Sequence, residues 1–208
     1  MRRRQLTTLL ISALAASAAL AAGTAQSAEG GLIGTGAASG CDTAASRPFE
    51  AFGDNANYLL MPGGSFEPGS PAWGLTGGAA VVPGNEPFGV ERDGGKRSLY
   101  LPAGSSAISP TGCFAFGDWH ARFFVRGVGP REGTLRVDVV VPSLLGVLTV
   151  LDGGSVSSSG EWKPSPRIGM LVCNITGLLG TKAVALRFRA SNAAFQIDDV
   201  YLDPWKDF

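Results

Sequence analysis

Thr134-Leu135-Arg136-Val137-Asp138-Val139-Val140-Val141 carries an apolar residue at every second position. Leu135, Val137, Val139 and Val141 fall on one side of an extended chain. Thr134, Arg136 and Asp138 fall on the other. This period of two belongs to a β-strand with one buried face, because successive side chains point to opposite sides of the pleat. A helix would have scattered the same residues around its circumference.

Working outward, the pattern repeats. Val184, Leu186 and Phe188 alternate with Ala185, Arg187 and Arg189 between Lys182 and Ala190. Ala121, Phe123 and Val125 oppose His120, Arg122, Phe124 and Arg126. Shorter strands fit residues 57–60, 79–82, 98–101, 147–151, 167–172 and 195–202. Turn-forming clusters stand between them: Pro62-Gly63-Gly64, Pro83-Gly84-Asn85, Asp93-Gly94-Gly95 and Asp152-Gly153-Gly154. No long helical repeat follows the N-terminal region, and no internal repeat suggests a propeller or solenoid. The expectation is an all-β fold, a two-sheet antiparallel jelly-roll β-sandwich. Leu135, Val137, Val139, Val184, Leu186, Phe188, Phe123 and Val125 are its expected core.

The last strand is out of step with itself. Phe195 and Ile197 share a face, then Val200 and Leu202 share one a residue late. Such a phase change predicts a β-bulge at Asp198-Asp199. Neighbouring strand residues diverge, so this acidic pair is not a catalytic dyad.

Arg2, Arg3 and Arg4 precede an apolar run from Leu9 to Ala22 and a small-residue exit. A basic cap and a short apolar segment read as a signal peptide over residues 1–28, too short to span a bilayer. A Gly- and Ala-rich lead-in would cover 29–40, and the sandwich 41–208. The mature protein is expected to be secreted and extracellular.

The whole chain carries 17 basic and 17 acidic residues. All three basic residues of the leader leave with it, so the mature charge is about −3. That argues against a nucleic-acid partner, which needs a basic excess. No basic amphipathic helix argues for membrane binding, and no membrane insertion is expected. Three cysteines in an oxidising compartment allow one disulfide. The turn-rich settings of Cys41 and Cys113 favour that pair, with Cys173 in an apolar segment as a buried thiol. A thiol metal site is the rival reading, weakened by the lack of a Cys-x-x-Cys spacing.

Signals of catalysis are sparse. His120 is the single histidine, and neither a Gly-x-Ser-x-Gly elbow nor a His-Glu-x-x-His helix occurs. A carboxylate pair of the glycosidase kind is a matter of spatial separation, which sequence does not reveal. Binding signals are better. Sugars are held by aromatic rings and by planar polar side chains. Trp119, Arg122 and Phe124 combine both within one short segment and are the expected ligand-binding residues. Trp162, Trp205 and Tyr100 are further aromatics, and Trp73 reads as core. If their strands are neighbours, Arg122, Arg126, Arg136, Arg187 and Arg189 would form an arginine-rich face with Phe124 and Asp138, suited to an anionic sugar. The plainer reading is a solvated sheet face with surface ion pairs.

Two segments carry a resemblance. Met61-Pro62-Gly63-Gly64-Ser65-Phe66-Glu67, with Trp73-Gly74-Leu75, resembles the opening segment of jelly-roll carbohydrate-binding modules. Phe195-Gln196-Ile197-Asp198-Asp199-Val200-Tyr201-Leu202 resembles their closing strand. The chain is also similar to secreted proteins of high-GC actinobacteria. The resemblance implies a galactose-binding-like sandwich. It also implies a structural calcium with Glu67 and Asp198 as ligands, pinning the first strand to the last. The expected function is a non-catalytic carbohydrate- or cell-surface-binding module whose partner is a glycan or cell-envelope polysaccharide. The alternatives are a structural or interaction protein of the envelope without a small ligand, and an extracellular polysaccharide hydrolase. The oligomeric state stays open.

Overall fold

In the computed structural model, residues 45–90, 94–114, 120–142, 148–158, 160–170 and 182–203 are described. The expected signal peptide, the lead-in, Cys41, Trp119, Cys173 and Trp205 lie outside them. Cys113 is described by its backbone, on a short strand opposite Ala183.

The alternation in the opening stretch becomes one long strand, Gly133–Pro142. In chain order the strands are β1 (Leu59–Leu60), β2 (Gly74–Thr76), β3 (Ala80–Pro83), β4 (Arg97–Leu101), β5 (Ser106–Ile108), β6 (Gly112–Phe114) and β7 (His120–Val128). They continue as β8 (Gly133–Pro142), β9 (Leu148–Ser158), β10 (Lys163–Pro164), β11 (Ile168–Gly169), β12 (Lys182–Ala190) and β13 (Ala194–Leu202). One sheet has seven strands, in the order β10-β7-β13-β4-β3, with β1 on β13 and β11 on β7. The other has six, in the order β2-β5-β12-β8-β9, with β6 on β12. Every pair is antiparallel. No α-helix occurs among the described residues, only a single 3-10 turn at Glu50–Phe52.

The inner faces supply the core. Phe123, Val125, Leu99, Leu101, Phe195 and Ile197 come from the seven-stranded sheet. Leu135, Val137, Val139, Val184, Leu186 and Phe188 come from the other, and all are buried. Phe123 meets Phe188 edge-on across the sheets at 5.0 Å. Trp73 packs on Phe188 and Phe66 and is core as expected.

The expected bulge is present. Pairing of β13 with β7 slips between Asp198 and Tyr201, and Asp199 adopts φ of 50°. The opening motif docks on that slip. Val200 O accepts from Met61 N at 2.9 Å, and Val200 N donates to Gly64 O at 3.1 Å.

A second bulge corrects the sequence reading. Asp152-Gly153-Gly154, whose composition predicts a turn, lies inside β9, where the register against β8 shifts between Val137 and Asp138. A side chain at 153 would press on Val137 O, so glycine there reflects close packing within a strand. Strands β2, β5, β6 and β10 are too short for any alternation to mark them in the sequence.

The outer face of the seven-stranded sheet is covered by residues 45–60. Phe49, Tyr58, Phe124 and Tyr201 form a second apolar cluster there, separate from the main core. Phe49 lies 5.1 Å from Phe124 and 5.0 Å from Tyr58.

Candidate functional site

That covering segment decides the fate of two expected ligand residues. Phe124 points outward from β7 as the alternation requires, yet it is fully buried beneath Phe49, Phe52 and Phe88. It offers no ring face to a sugar. Arg122 is buried as well. It donates from Nη1 to Asp54 Oδ2 and from Nε and Nη2 to Ser165 O at 3.1 and 3.0 Å. Its guanidinium also lies 4.3 Å from the Phe49 ring centroid. The pair therefore serves packing on this face rather than forming the exposed platform expected. An outward-facing strand residue reads as exposed until a segment far away in sequence covers it.

Asp54 is the centre of this buried network. It accepts from Arg122, from Arg167 Nη2 at 2.7 Å, and from Tyr58 Oη at 2.7 Å. Burial alone would raise its pKa. The arginines and Tyr58 outweigh it and hold the carboxyl well below the usual range. Burial and the neighbouring carboxylate push the Tyr58 hydroxyl up. His120 lies 3.8 Å from Asp203, but burial and the Arg167 charge lower its pKa, favouring neutral imidazole.

The expected arginine-rich face divides between the sheets. Arg122 and Arg126 belong to the seven-stranded one, where Arg126 donates to Gln196 Oε1 at 2.6 Å and lies over the Trp162 ring at 5.2 Å. Arg136, Asp138, Arg187 and Arg189 share the outer face of the six-stranded one. Register sets them in two rows. Thr76, Ser106, Arg189, Arg136 and Ser155 are successive cross-strand partners over five strands. Gly74, Ile108, Arg187, Asp138 and Asp152 form the adjacent row. At about 4.8 Å per strand, each row spans roughly 19 Å.

Asp138 organises this floor. It is buried and accepts from Arg187 Nε at 2.9 Å and Arg189 Nη2 at 2.9 Å. Burial pushes its pKa up, and the two guanidiniums reverse this, so it is held below its ordinary range. Both guanidiniums remain partly open to solvent. Arg136, beside Arg189, is exposed and makes no ion pair among the described residues. Thr76 and Ser106 place their hydroxyls 2.8 Å apart at one end of the row. The result is a polar floor on which one buried carboxylate fixes two guanidinium forks, with a third that makes no ion pair among the described residues. Such forks match carboxylates bidentately and donate readily to hydroxyls. Among the described residues this floor carries no aromatic ring.

Glu67 and Asp198, the expected calcium ligands, engage different partners. Glu67 Oε1 accepts from the backbone N–H groups of Lys96 and Arg97. Asp198 accepts from Glu86 N at 3.1 Å and from Asp199 N at 2.9 Å. No group of three or more His, Cys, Asp or Glu side chains suited to a metal occurs among the described residues. These two carboxylates alone are not a calcium set. Backbone carbonyls would have to supply most of the six to eight oxygens.

No protein-family model and no curated protein matches the chain. Solved structures similar to it include carbohydrate-binding modules with jelly-roll folds. The first xylan-binding domain, of family 22, from Paenibacillus barcinonensis Xyn10C is 14% identical, with 72% of this chain and 93% of that one covered and a TM-score of 0.44. The Clostridium thermocellum xylanase 10B fragment of a family 22 module and its catalytic module, complexed with xylohexaose, is 16% identical. That match covers 72% of this chain and 27% of the fragment, with a TM-score of 0.48. A family 11 module from a C. thermocellum cellulosomal cellulase is 14% identical over 74% of this chain and 98% of its own, with a TM-score of 0.41.

Proposed function

We propose that this protein is a non-catalytic glycan-binding module that holds an acidic polysaccharide on the outer face of its six-stranded sheet. The observation that carries the reading is Asp138 fixing Arg187 and Arg189 side by side, with Arg136 exposed next to them. Two preset forks lose little side-chain entropy on binding, and the third adds charge where a uronate carboxylate would lie. The flanking hydroxyls of Thr76, Ser106 and Ser155 suit the ring hydroxyls of neighbouring sugar units.

The test is titration of the purified protein with an acidic polysaccharide such as polygalacturonate and with its neutral counterparts. Binding should fall at least tenfold in Arg136→Ala and in Arg187→Ala, about 1.4 kcal/mol each, with the melting temperature kept in Arg136→Ala. It should weaken steeply with salt. Equal affinity in wild type and Arg136→Ala would overturn this placement of the site. Release of reducing ends from the bound polymer would move the protein to the hydrolase class.

We propose secretion, on the basic cap and apolar run of residues 1–28; the N-terminus of the exported protein, read by mass spectrometry, tests it. A structural calcium held by Glu67 and Asp198 rests on the resemblance of the opening and closing motifs. Chelator should then lower the melting temperature, and Asp198→Ala should remove the difference.

A further inference from the structure

A groove of about 500 Å³ lies between the covering segment and the loop at residues 86–90, lined by Ser46, Arg47, Glu50, Phe88 and Val90 among others. We propose that it is a second binding site, for a neutral saccharide, separate from the arginine floor.

Its walls are held in place from beneath. Glu86 is buried, and its carboxylate accepts from Phe88 N and from Val90 N, while its own N–H donates to Asp198 Oδ2. The loop is thereby tied to the last strand. Opposite, the turn at Glu50–Phe52 is closed by Gly53 in the left-handed region, with its N–H on Glu50 O. Phe52 and Phe88 meet edge-on at 4.9 Å across the two segments. Both rings stay exposed, at 36% and 41%, unlike Phe49 and Phe124 beneath them. An exposed aromatic pair beside a cavity of this size is what a small ligand with an apolar face requires.

The polar groups select the class of ligand. Arg47 offers donors only, Glu50 acceptors only, and the Ser46 hydroxyl serves as either. Arg47 and Glu50 form no ion pair with each other. Arg47 and Glu50 carry opposite charges and the Glu86 carboxylate beneath the loop adds a negative one, so the groove offers an anion no net attraction. The ligand that satisfies all three is uncharged, carries hydroxyls that both give and take hydrogen bonds, and has an apolar face for Phe88. A pyranose ring has these properties.

The experiment is calorimetric titration of the full protein with neutral gluco-, manno- and xylo-oligosaccharides. At least one should bind, and Arg47→Ala, Glu50→Gln and Phe88→Ala should each weaken it fivefold or more. Arg187→Ala should leave it unchanged, which separates this site from the floor. Phe88 also packs on Phe124, so if Phe88→Ala unfolds the chain the two exposed polar variants decide. Absence of binding by all three series, indifference to Arg47→Ala and Glu50→Gln, or loss in Arg187→Ala would each overturn the proposal. Failure of the acidic polysaccharide to bind leaves this result standing on its own.

Discussion

Asp54 shows what one side chain does when burial and charge compete. It is buried with Arg122, Arg167 and Tyr58 converging on its two oxygens. Asp54→Asn leaves Arg122 buried without its counter-charge. The expected loss is about 3–5 kcal/mol, read as a shift of the urea midpoint at pH 7. The sign with pH follows from the lowered pKa. The ionised form is favoured by folding, so its stabilisation is complete above the ordinary aspartate value near 4. It is lost progressively as pH falls below that value. Asp138 acts in the same direction. Melting temperature should therefore drop steeply below about pH 4, and less steeply in Asp54→Asn; parallel curves for the two proteins would contradict this.

At the scale of the element, the closing strand depends on a glycine far from it in sequence. A side-chain carbon at position 64 would stand 2.6 Å from Val200 O and 3.0 Å from Met61 O, both backbone atoms that cannot rotate away. Gly64→Ala should cost about 1–3 kcal/mol. It should also speed amide exchange at Met61 and Val200, whose N–H groups bond across this junction. Strands long enough to alternate were legible in the sequence, as was the slip at Asp198-Asp199, because a buried face writes its period into the residues. Strand β2 was not: all three of its residues are exposed, and it joins the sheet through backbone bonds that any residue makes. The arginine floor was half legible. Outward arginines show in the alternation, but whether Arg187 lies beside Asp138 or across the molecule from Arg122 is set by strand order. Phe124 and Arg122 misled for the same reason, since residues 45–60 return over them from more than sixty positions away.

The whole molecule is a sandwich whose two outer faces have opposite characters. One sheet is roofed by aromatic rings and a buried charge network. The other presents guanidiniums and hydroxyls around a buried carboxylate. The prediction at this scale is separability. Charge reversal at Arg136 should abolish acidic-glycan binding with the melting temperature within about 2 °C of wild type, because surface substitutions away from packed features cost little. A loss of several degrees would show the floor to be structural.

The roof also has a consequence in time. Asp54 reaches Arg122 over 68 residues and Arg167 over 113. The roof seats on Phe124 of β7 and Tyr201 of β13, so it is expected to close only after those strands have paired. Interactions missing from the transition state act on the escape rate rather than on the approach. Asp54→Asn should then multiply the unfolding rate while leaving refolding nearly unchanged, as a chevron plot would display. A protein exposed to proteases survives by how seldom it opens. The roof works as a latch, setting the lifetime of the folded chain more than the speed at which it is made.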